Sequence, residues 1–126
     1  MGTHMIPFSV DYEFALDFEH CNSMDEAVKK LSQLTNLLNK VISIRHYARS
    51  HILDECSKYP EEKMQKLSWE NKLVSLKIVS KRDDLIIDLI DLYDRSDEAY
   101  IKLKLKHEQV VEDLMKLKKQ ADITPR

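Results

Sequence analysis

The stretch Asp84-Leu85-Ile86-Ile87-Asp88-Leu89-Ile90-Asp91-Leu92-Tyr93 sets the problem that the rest of the chain has to solve. At about 100° per residue its seven apolar side chains spread round more than half of a helix, while the aspartates collect on the remainder. One antiparallel neighbour leaves part of so wide an arc in water. The pattern therefore predicts a helix of this chain on one side and a second chain, or a partner protein, on the other. Downstream the arc narrows: Ile86, Leu89, Tyr93, Ser96, Tyr100, Leu103, His107, Val110, Leu114 and Leu117 recur at spacings of three and four, the repeat that keeps one stripe facing another helix.

The helix to pair with it lies upstream. Ser23-Met24-Asp25-Glu26 is a capping box, in which the Ser23 hydroxyl accepts from the Glu26 amide and the Glu26 carboxylate reaches back to Ser23. From that start Ala27, Leu31, Leu34, Leu38, Val41, Arg45, Ala48 and Ile52 follow the same four-three spacing, widened by Val28, Leu37, Ile42, Ile44 and Cys56. This predicts helix A over about 24–57. Pro60 with Glu61 and Glu62 suits a first helical turn, where proline's missing donor costs nothing and acids meet the positive end of the helix dipole. Helix B is thus expected over about 60–120.

Helix B carries two frames that do not join. Met64, Leu67, Val74 and Ile78 form the first, and the series from Ile86 forms the second, with a one-residue slip near 80–83. Lys81-Arg82 suits a helix end and Asp83-Asp84 a helix start, with Ser80 as a cap and Asp83 at the third position. The slip is either a stutter within one continuous helix or a kink between two helices near 80–83. An unbroken helix B would extend roughly 90 Å, far beyond what helix A covers.

Residues 6–22 alternate Phe8, Val10, Tyr12, Phe14, Leu16 and Phe18 with acids, a strand-like period, yet Val10, Phe14 and Phe18 also fit one helical face. With no second strand to pair with, this segment reads as a short helix or an extended arm lying on the bundle. Met1–Met5 reads as a cloning remnant, and 121–126 as the start of a linker in a longer protein.

Composition narrows the function classes. The 126 residues are 43% hydrophobic and 33% charged with a net charge of −2, and the one glycine, Gly2, falls in the remnant. Phosphate-cradling loops, Rossmann turns, nucleophile elbows and EF-hand loops all need glycine where φ is positive or where backbone approaches a ligand. A near-neutral charge gives no general argument for nucleic acid. No apolar run approaches the ~20 residues of a membrane span. The chain reads as intracellular, cytoplasmic or nuclear, with Cys21 and Cys56 as reduced thiols. No catalytic residues, cofactor or metal are expected.

Other clusters have structural explanations. Asp84, Asp88 and Asp91 read as a solvated face, with Asp91 and Arg95 an i, i+4 pair. His46, His51 and Cys56 are five apart and share no ligand face. Trp69 reads as a packing residue at the hairpin base. Lys102, Lys104, Lys106, Lys116, Lys118 and Lys119 make the last helix lysine-rich, which the helix dipole accounts for near the C-terminus. That tail is also what an anionic membrane or nucleic-acid surface would use. The segment Asp11–Glu26 holds six carboxylates and no Lys or Arg, and opposite charge at the two ends of the chain favours either antiparallel association or docking of the arm.

The fold expected is all-α: a long coiled-coil-like helical hairpin with a short N-terminal arm, completed by a second chain. The function expected is a non-catalytic oligomerisation and scaffold module of a larger complex, pairing with a copy of itself or another helical subunit. Its interface residues are Leu85, Ile86, Leu89, Ile90, Tyr93, Tyr100, Leu103, His107, Val110, Leu114 and Leu117. Through Asp83-Asp84, Tyr93, Asp97 and Glu112-Asp113-Leu114, the segment from Asp83 to Leu114 resembles the second long helix of the N-terminal dimerisation domain of the ING family of chromatin-complex subunits. The Leu-Pro expected early in that domain is missing. What the resemblance implies is a chromatin-complex scaffold, an alternative within the same non-catalytic class.

Overall fold

The computed structural model describes residues 8–59, 64, 66–80 and 83–123. The cloning remnant, the Pro60 helix start, the Lys81-Arg82 helix end and the last three linker positions lie outside the described residues. The elements whose bounds fall among the described residues are a 3-10 turn at Glu13–Leu16 and the helices α1 at Met24–Ser57, α2 at Trp69–Val79 and α3 at Asp84–Ile123. There is no strand among the described residues, and the helices pack as a hairpin in which α1 contacts α2.

At the head of α1 the Ser23 hydroxyl accepts from the Glu26 amide at 3.1 Å. The Glu26 carboxylate accepts from the amide of Asn22, at 3.3 Å, one residue before the donor that the capping box predicts. It thus ties the chain just before the helix to the first turn. Ala27, Leu34, Val41 and Ala48, one heptad apart, are fully buried, whereas the alternate positions Leu31, Leu38 and Arg45 are half-buried.

The single helix expected over 60–120 is interrupted twice. Met64 and Lys66 are helical, but Leu67 bends and Ser68 is extended, with φ −60° and ψ 162°. Ser68 then caps α2 by accepting from the Asn71 amide at 3.3 Å. Ser80 ends α2, its hydroxyl donating to the Lys77 carbonyl. It does not cap the next helix. That is done by Asp83, whose carboxylate accepts from the Leu85 amide at 2.9 Å while its carbonyl takes the Ile87 amide. The two frames lie on separate helices, one ending at Val79 and the next beginning at Asp84, and α3 runs on through Ala121–Ile123, which the sequence suggested as linker.

The chain forms two compact units, each using part of α1 and part of α3. The first comprises Ser43–Asp97 with Phe8 and Ser9. Its core joins Ala48, Ile52 and Cys56 of α1, Leu76 of α2 and Ile86, Leu89, Ile90, Leu92 and Tyr93 of α3, with Met64. The wide apolar arc is therefore buried largely within the chain, because α2 is a separate helix that packs into the same core. Only Leu85 and Ile87 of the arc stay exposed. Leu76 is fully buried, so Val74 and Ile78, on the opposite side of α2, face solvent at 57% and 72% exposure. This corrects the stripe read through Met64, Leu67, Val74 and Ile78.

The second unit comprises Val10–Ile42 and α3 from Glu98 onward. Ala27, Leu34, Leu37 and Val41 are buried from α1, Ala99, Leu103 and Val110 from α3, and Tyr12, Ala15 and Cys21 from the arm. The two helices run antiparallel here, since Cys21, just before α1, meets Asp113, while Thr35 meets His107. In the arm Tyr12 and Ala15 turn inward and Phe14 outward, the spacing of a 3-10 turn and not of a strand.

Candidate interaction surface

In the first unit α2 covers one flank of the α1–α3 pair. The Trp69 ring meets the Tyr93 ring edge-on, centroids 4.9 Å apart at 62°, and the Arg49 guanidinium lies 4.9 Å over Trp69. Arg45 sits 5.5 Å from the centre of the Tyr93 ring, donates to the Tyr93 hydroxyl at 3.3 Å and pairs through Nε with Asp97 at 2.8 Å. Burial opposes the charge on Arg45, but the bonds to Asp97 and Tyr93 outweigh it and hold the guanidinium above its ordinary pKa. Trp69 is a packing residue here, with its buried Nε1 bonded to no acceptor among the described residues.

These contacts absorb much of the expected interface. Ile86, Leu89, Ile90 and Tyr93 belong to the first unit's core, and Leu103 and Val110 are buried in the second unit. Leu85 is exposed. Tyr100, His107, Leu114 and Leu117 are half-buried, and all four lie in the second unit. The Ser96 hydroxyl, fully buried, donates to the Tyr93 carbonyl at 2.9 Å, so this polar seam position is satisfied within its own helix.

In the second unit the half-buried residues line up on a common flank. Met24, Val28, Leu31, Thr35, Leu38 and Ile42 step along α1 at four-three spacing; Met24, Val28 and Ile42 are exposed and Leu31 and Leu38 half-buried. On α3 Tyr100, His107, Val111 and Leu114 do the same, all half-buried. The Thr35 hydroxyl and His107 Nε2, 3.4 Å apart, bring the two series side by side. Together they make an apolar face about 27 Å long at 1.5 Å per residue. Of the α1 members, Val28, Leu31, Leu38 and Ile42 are read in the sequence as part of one wide stripe toward the partner helix, so the sequence does not separate this flank from the core, and Met24 and Thr35 are not read in it.

The arm occupies the other flank. Asp113, buried at 7% exposure, accepts from the Cys21 amide at 3.0 Å and pairs with His20 Nδ1 at 3.1 Å. Lys106 donates to the Phe18 carbonyl, and Lys30 and Lys106 approach the Phe18 ring centre at 4.7 and 4.4 Å. Burial pushes the Asp113 carboxyl up, yet the Cys21 amide and the His20 ring more than offset it and leave it below the ordinary carboxylate pKa. The Cys21 thiol is pushed up by burial and by the Glu26 and Asp113 carboxylates. Both cysteines are free and buried.

Among the described residues no group of three His, Cys, Asp or Glu side chains is placed to hold a metal ion. The depression bounded by Ser23, Glu26 and Gln33 is lined by α1 and its capping serine, and that bounded by Glu112, Met115 and Asp122 by α3 alone. Neither has the opposed walls that bury most of a small ligand. No described helix is long and apolar enough to cross a membrane. Comparison with protein-family models, with curated proteins and with solved structures finds no match.

Proposed function

We propose that the chain is a non-catalytic helix-pairing module, which assembles with another chain through the open flank of its second unit. One observation carries this reading. In the first unit the flank bearing Arg45, Arg49 and Tyr93 is covered by α2, whereas in the second the equivalent heptad positions, Leu31 and Leu38 with Tyr100, His107 and Leu114, stay half in water. A helix from outside would do there what α2 does in the first unit. Two helices about 10 Å apart present roughly 20 × 27 Å on that face, so burial against a partner removes on the order of 1,000 Å² in total, the lower bound for a specific interface.

The test is sedimentation mass at rising concentration, alone and with a helical probe peptide of about three heptads carrying Leu at four-three positions and Gln on its flanks. The mass is expected to rise, by self-association or by a peptide complex, and to stay monomeric in the Leu38→Asp/Leu114→Asp double variant. A monomer under all conditions, or a double variant that behaves like the parent, refutes the reading. The alternative reading, a lysine-rich surface for anionic membrane or nucleic acid, predicts binding that falls steeply with salt.

A further inference from the structure

We draw no further inference here: the strongest candidate, the half-buried apolar flank of the second unit along Leu31, Leu38, His107 and Leu114, carries nothing beyond the pairing already proposed for it, because nothing in the structure shows what covers it.

Discussion

Replacing Asp113 by Ala should release the N-terminal arm without unfolding the helices. The side chain makes two contacts to the arm. The bond from the Cys21 amide, at 3.0 Å and buried, falls in the range of about 1.5–3 kcal/mol for a hydrogen bond to a charged group. The His20 contact, with the ring 69% exposed, adds a few tenths of a kcal/mol. A loss of about 2 kcal/mol in arm closure raises the open population about 30-fold. Cys21 reports this opening, since its thiol is buried in the closed arm and burial and neighbouring carboxylates disfavour its thiolate. The assay is thiol labelling read by peptide mapping, so that Cys21 and Cys56 are followed in one sample. Cys21 labelling should accelerate about 30-fold with Cys56 unchanged and helical circular dichroism retained. Asp113→Asn, which keeps an acceptor oxygen but loses the charge, should fall between parent and Ala. The reasoning is refuted if Cys21 reacts no faster in Asp113→Ala, or if Cys56 accelerates in step, which would mean that the whole fold opens.

Leu76→Ala should cost about 2–5 kcal/mol in urea unfolding, and Ile78→Ala no more than about 0.5, because only the first removes buried volume; the opposite ranking would show that α2 is rotated. Ser68→Ala should cost about 1 kcal/mol by removing the cap on α2, with Ser68→Asp close to neutral. The Asp94 carboxyl is pushed up by burial, with Lys77 opposing and Asp91 and Asp97 adding to it. Its ionised form is thus disfavoured by folding, and that cost is relieved as pH falls through its folded pKa. Asp113 has the opposite sign: the stability it supplies is present above the unfolded carboxylate value near 3.9 and is lost as pH falls through its lowered folded pKa. Urea midpoints at pH 7 and below 4 should therefore rise relative to parent at neutral pH for Asp94→Asn, and should lose part of their acid sensitivity for Asp113→Asn.

The start of α1 and its packing stripe are legible in the sequence because local and tertiary signals agree: Ser23 caps the helix, and Ala27, Leu34, Val41 and Ala48 repeat without a break. The break before α3 is legible in the frame slip, although the roles of Ser80 and Asp83 are not, since both residue types serve at either end of a helix. The cap at Ser68 passes unnoticed beside the stronger proline signal at Pro60. What sequence periodicity does not convey is which neighbour covers an apolar arc. Leu85 to Tyr93 would show the same pattern against a second chain as against α2. The arm contact is invisible for a similar reason: Asp113 sits in a charged, lysine-rich helix, and only the fold brings it to Cys21.

The bond between Cys21 and Asp113 joins residues 92 positions apart, and the His20 contact 93. Contacts in the first unit, such as Arg45 with Tyr93 and Asp97, close loops of about half that span. Chain entropy alone penalises the longer loop only slightly more. Synthesis is another matter, because the first unit's helices are complete once Asp97 has been made, whereas the arm has no acceptor until residue 113 follows. At about 5–20 residues per second the arm waits about a second or more beyond that point. During that interval Cys21 is open to solvent, and the arm flank of α1 is as accessible as the flank proposed for a partner.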